Sequence, residues 1–162
     1  MNRKAYTLIE VLLSVAIVTV LFAVMLSMLK SGNELYSGIT TSIEIRQHAR
    51  NVMERIVRET REGDEVITIT VINADSDRIS FTSPRFTDGG GNKLPIQYYL
   101  SNGMVYREYP SGTSMPIATD VTRLKFVRTG PQIDVLVQTE KTTNRRPLVY
   151  VLKQKVRLRN YE

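Results

Sequence analysis

The residue whose chemistry is most out of place is Glu10. It lies in LIEVLLSVAIVTVLFAVMLSML, 22 residues from Leu8 to Leu29 that hold no other ionisable group. A charge in hydrocarbon costs ~2.5–3.5 kcal/mol at the centre of a spanning helix and less near its ends. The nearest cations are Arg3 and Lys4, before the run. With no partner expected inside the helix, the carboxylate either reaches back to the aqueous boundary or is met by another chain. Other chemistries fare worse. The chain has no cysteine, which excludes a thiol nucleophile, a disulfide and a thiolate metal site, and its single histidine, His48, gives little basis for a zinc centre or a hydrolytic triad. Asp88-Gly89-Gly90-Gly91-Asn92 offers oxygens to a hard cation together with Asp75 or Asp77. The spacing fails the EF-hand pattern and no bidentate Glu follows, so a hairpin loop is the better reading and neither metal nor cofactor is expected.

A second group is basic. Lys153, Lys155, Arg157 and Arg159 alternate with Leu152, Val156 and Leu158, and in a strand that spacing puts the cations on one face and Leu148, Tyr150 and the other apolar side chains on the opposite one. Such a face is ordinarily solvated and guards a sheet edge. The sharper reading is contact with a polyanion, since Lys141, Arg145 and Arg146 lie just upstream and counterion release would drive binding. Aromatic residues are too few among these cations to support base stacking, which leaves DNA as the less favoured partner.

The elements that must position these groups follow from length and period. The chain has 162 residues, 42% hydrophobic and 23% charged, with a net charge of +6. That suits one folded domain plus an extension and excludes a disordered chain or a multidomain enzyme. A helix of the length of the apolar run spans ~33 Å, enough to cross a bilayer. Arg3 and Lys4 before it predict a cytoplasmic N-terminus, with the remainder of the chain outside. The run exceeds a signal-peptide core, and Met28-Leu29-Lys30-Ser31 offers no small-x-small cleavage site, so an uncut anchor is favoured.

Lys4-Ala5-Tyr6-Thr7-Leu8-Ile9-Glu10-Val11-Leu12 resembles the prepilin motif of type IV pilins and type II secretion pseudopilins, K-G-F-T-L-I-E-V-L followed by about twenty apolar residues. Ala5 stands where that motif has Gly and Tyr6 where it has Phe; both substitutions keep a small residue before an aromatic one. The resemblance implies that a prepilin peptidase cuts between Ala5 and Tyr6 and that the new amine of Tyr6 is methylated. It also implies that this amine meets Glu10 of a neighbouring subunit in a filament, fixing register. Glu10 lies four residues beyond Tyr6, one turn along the same helical face. Major pilins usually carry a proline in the membrane half of this helix, whereas here none appears between Tyr6 and Pro84.

Beyond the apolar run a helical beat continues through Leu35, Ile39, Ile43, Ala49, Val52, Met53, Ile56, Val57 and Thr60, with Arg46, Arg50, Glu54, Arg55, Arg58, Glu59 and Arg61 on other faces. Glu54 and Arg58 form a favourable pair four residues apart, Gly32 and Gly38 are points where the helix can bend, and Gly63 is placed as its stop. The expected helix runs from Tyr6 to Glu62, ~85 Å. After it the period falls to two. Strands are expected at Val66–Ile72, Arg78–Thr82, Ile96–Leu100, Met104–Tyr109, Arg123–Arg128, Ile133–Thr139 and Leu148–Leu158, with Asn102-Gly103 the strongest hairpin signal.

The class is therefore α+β: a long N-terminal helix packed on a mostly antiparallel sheet, as in pilins. The expected organisation is a cleaved leader at 1–5, a membrane or filament-core half at 6–29, an amphipathic half at 30–62 and an extracytoplasmic β-rich domain at 63–162. The order of elements, with Met53 to Glu59 ending the helix, the Tyr98 to Glu108 hairpin and Val156 to Asn160 closing the chain, is similar to J-type minor pseudopilins and W-type minor pilins. That similarity implies a non-enzymatic minor subunit of a pilus, secretion or competence filament, within a tip or initiation complex. Its implied partners are the prepilin peptidase and other minor and major pilins, and its place is the cytoplasmic membrane before assembly. The alternative is a monomeric membrane-anchored binding domain that uses the basic strand.

Overall fold

The computed structural model describes residues 7–63, 67–143 and 146–159. One α-helix, α1 (Leu8–Arg61), is followed by eight strands: β1 (Ile67–Val71), β2 (Asp77–Thr87), β3 (Lys93–Ser101), β4 (Met104–Glu108), β5 (Ser114–Ala118), β6 (Val121–Thr129), β7 (Gln132–Thr143) and β8 (Arg146–Arg157). The chain divides into two compact units, residues 1–40 and 41–162. The described part of the first is Thr7 and helix.

In the second unit the strands form two antiparallel sheets, β1-β2-β3-β4-β5 and β6-β7-β8. Turn chemistry sets the sequential pairing. Asn102 and Gly103 take positive φ values of 49° and 74°, the left-handed pair that a two-residue type I′ turn needs, and Ser101 faces Met104 across it. At the β2–β3 loop, Asp88 Oδ1 accepts the backbone N–H groups of Gly90 and Asn92. Its Oδ2 accepts the Asn92 amide, and the carboxyl is held below its ordinary range chiefly by Asn92. The loop spends its carboxylate on itself. Asp75 pairs with Arg123 at 2.7 Å, and Asp77 with Lys125 and the Phe126 amide, so the oxygens considered for a cation are committed elsewhere. The Asp77 contacts, with the bridge between Ser76 and Leu124, stitch the two sheets together.

The core lies where α1 crosses the sheets. Ala49, Val52, Met53, Ile56, Val57 and Thr60 are buried at helical spacing against Phe81, Tyr98, Val105, Leu124, Val135 and Val156. The buried helical face begins at Thr41, later than the sequence pattern predicts. Leu35, Ile39 and Ile43 are exposed, and helical periodicity alone cannot tell a face covered by its own domain from one left open. Neither Gly32 nor Gly38 interrupts the helix.

Other differences have plain causes. β5 escapes a pattern search because Pro116 interrupts it; an edge strand tolerates a proline whose missing N–H would face solvent. β2 runs on past Pro84 through a register shift between Thr82 and Thr87. β7 and β8 extend into the expected turn, so that Thr143 faces Arg146. The Val66 start of the first strand lies outside the described residues. Gly63 does stop the helix, but without a positive φ: a Cβ there would sit 2.9 Å from the Thr60 carbonyl oxygen, so contact rather than handedness demands glycine.

The largest departure is Glu59, expected on an outer face and buried instead. Its carboxylate accepts the Tyr98 hydroxyl at 2.7 Å and the Arg107 Nε–H at 2.9 Å, while Arg55 approaches at 3.6 Å. The Arg107 guanidinium lies 5.3 Å from the rings of both Phe86 and Tyr109, which pack against each other at 4.9 Å. A desolvated pair of this kind adds less to stability than to register, because any other seating of α1 on β3 and β4 strands a charge. Glu59→Ala should therefore destabilise by ~3–5 kcal/mol, with most of the loss recovered in Glu59→Met/Arg107→Leu. Urea unfolding of the whole chain in detergent micelles reads both.

Burial, then the Glu59 charge, pushes the Tyr98 phenol well above its ordinary value. With the folded-state pKa raised, this contribution to stability is complete below the unfolded-state value of about 10 and is lost as pH rises beyond it. Urea midpoints should fall from about pH 9 to about pH 11, and less steeply in Tyr98→Phe.

Candidate functional site

The first unit is built to present hydrocarbon. From Leu8 to Leu29 its large apolar side chains are exposed, Leu8 at 79% and Phe22 at 61%. The hydroxyls among them are not free to make the surface polar. Ser14 donates to the Glu10 carbonyl and Ser27 to that of Val24, both at 2.7 Å, and Thr19 bonds back to Val15 in the same way. α1 is long and apolar enough here to cross a membrane. Apolar surface this continuous needs lipid or other helices around it.

Glu10 sits at the start of this surface, where Thr7, just before the helix, meets it with hydrogen-bond donors but no charge. Thr7 is the N-cap. Its backbone N–H donates to Glu10 Oε2 at 3.2 Å and its hydroxyl to the same oxygen at 3.3 Å. The Glu10 N–H lies 3.4 Å from the Thr7 hydroxyl oxygen and 3.1 Å from the Thr7 carbonyl. Thr7-Leu8-Ile9-Glu10 is thus a capping box, in which cap and third helical residue satisfy one another's donors. The carboxylate also lies at the positive end of the helix dipole. The Thr-x-x-Glu spacing was visible in the sequence and carried this information. Ala5 and Tyr6, the expected cleavage and methylation positions, lie outside the described residues, as do Arg3 and Lys4.

The basic series is more mixed than its spacing suggests. Lys153, Lys155, Arg157 and Arg159 are exposed, but Val149 and Val151 share their side of β8 at 52% and 45% exposure. Lys155 pairs with Asp134 at 3.6 Å on the neighbouring strand. Upstream, Lys141 is committed to Glu44 at 2.8 Å, a bond that keeps the Glu44 carboxyl low and the Lys141 ammonium high. Arg145 lies outside the described residues. His48 Nδ1 faces the Thr119 carbonyl at 3.2 Å and Asp120 at 3.5 Å, a structural bridge between helix and loop. Among the described residues no group of three or more His, Cys, Asp or Glu side chains is placed to hold a metal ion.

Residues 1–26 match the family model described as the prokaryotic N-terminal methylation motif. This covers the expected cleavage point, the capping box and most of the apolar run, and none of the second unit. It supports a type IV pilin-like or pseudopilin subunit that a prepilin peptidase processes, and with the apolar helix it fits an inner-membrane anchor. No curated protein and no solved structure matches the chain.

Replacing the cap tests the geometry directly. Thr7→Ala removes a side-chain cap worth ~1 kcal/mol and should fray the first turn. Faster amide exchange at Ile9 and Glu10 in micelles, with the second unit unchanged, is the expected result.

Proposed function

We propose that this chain is a minor pilin or pseudopilin: an anchored precursor trimmed between Ala5 and Tyr6, methylated at Tyr6, and packed through its helix into the tip or initiation complex of a filament. The observation that carries this reading is Glu10, a carboxylate that opens an exposed apolar helix inside a methylation motif. Within one subunit Thr7 supplies donors but no positive charge. Cleavage before Tyr6 would create a cation, and that amine on an adjoining subunit could neutralise Glu10 within the apolar bundle. The exchange would set axial register while the apolar stems provide most of the packing. The similarity to J-type pseudopilins and W-type pilins favours a minor over a major subunit, and the peptidase and other pilins are the partners this role requires. The C-terminal unit would then lie outside the cytoplasm, consistent with Arg3 and Lys4 before the span.

The test separates insertion from assembly. Glu10→Gln and Glu10→Leu chains should insert and be cleaved as the parent is, yet drop from sheared filaments by about tenfold or more. A mutant that enters filaments at the parental level would refute the role given to Glu10. Mass spectrometry of the mature chain should find Tyr6 first and methylated; a working protein that retains Met1 to Ala5 would remove the processing step.

A further inference from the structure

We propose that the free edge of β8 receives an extended, acidic segment of another protein, which pairs with it as a fourth strand of the β6-β7-β8 sheet. This interaction is separate from the helix-mediated assembly above.

The first observation is the edge itself. β8 is the terminal strand of its sheet, twelve residues long, and pairs with β7 in unbroken register from Arg146 to Arg157. Natural edges are usually short, bulged or interrupted, because a long regular edge is a template for further pairing. The only proline, Pro147, is at the start of the strand. Leu158 donates its N–H to the Pro131 carbonyl and Arg159 donates to that of Arg61. With antiparallel alternation, this parity turns the even-numbered residues of β8 toward β7 and leaves the N–H and C=O groups of Val149, Val151, Lys153 and Lys155 on the open side.

The second observation is incomplete cover. Tyr150 and Leu152 point toward the core but are only partly buried there, and Val149 and Val151 are exposed on the other face. A fourth strand would cover apolar surface on both sides at once.

Charge selects the occupant. β8 carries Arg146, Lys153, Lys155 and Arg157 and no acidic residue. The flank of α1 beside it adds Arg46, whose guanidinium lies 5.7 Å over the Tyr150 ring, and Arg61, whose carbonyl accepts the Arg159 N–H. A cavity lined by Glu54, Val57, Arg58, Arg61, Glu62, Gln154 and Arg159 lies between helix and strand, so both signs of charge are present on that side. Side chains on the outer face of an added strand would meet Lys153, Lys155 and Arg157, while those on the inner face would meet Tyr150 and Leu152, which favours acidic residues alternating with apolar ones. A second copy of β8 would bring like charges to the edge.

The probe is a labelled peptide of about twelve residues alternating glutamate with valine and threonine, titrated by fluorescence anisotropy against the full chain in detergent micelles. Saturable binding is expected, with slowed exchange at the Val149, Val151, Lys153 and Lys155 amides. Val151→Pro removes an outward N–H without touching the β7 ladder and should weaken binding by about tenfold or more. The same peptide N-methylated at its strand-facing amides keeps its charge, leaves the protein unaltered, and should lose binding to a similar extent. Absence of binding overturns the proposal. So does binding that is indifferent to N-methylation and equally competed by duplex DNA, which would make the strand a polyanion surface instead.

Discussion

Hydrocarbon that water cannot be allowed to cover is the constraint on which everything else about this chain rests. From Leu8 to Leu29 the side chains of α1 are turned outward, and the hydroxyls among them are bonded back to the helix. In the second unit the buried half of the helix packs on the strands, whereas the first unit has no sheet of its own to cover it. Cover has to come from lipid or from the helices of other molecules. The N-terminal methylation motif at residues 1–26 lies at the head of this helix.

Glu10 and Glu59 are two carboxylates on one helix with opposite circumstances. Glu10 is exposed and its donors are local, within one turn. Glu59 is buried, and its donors come from residues 39 and 48 positions away in sequence. Exchange of these partners would require the helix to leave the sheet. The first arrangement is a local cap and the second a registration pin between helix and sheet.

Much was legible from local pattern. The apolar run, the change from helical to strand period near Gly63, the Asn102-Gly103 turn and all but one of the strands follow from residue type and spacing, because each is decided within a few residues. The Thr7–Glu10 cap was equally local and could have been read from Thr-x-x-Glu. β5 was harder, since Pro116 argues against a strand until a neighbour with a matching edge is known.

Local order therefore belonged to the chain alone: an anchor, an amphipathic continuation, a run of antiparallel strands and a carboxylate at the head of the apolar helix. Tertiary structure alone decided that the strands would divide into two sheets, that Leu35, Ile39 and Ile43 would stay open while Thr41 turned inward, and that Glu59 would be buried against Tyr98 and Arg107. It also placed β8 at the end of its sheet among the described strands. The physical reason is common to all four: periodicity says which residues share a face, and only packing against distant segments says what that face meets.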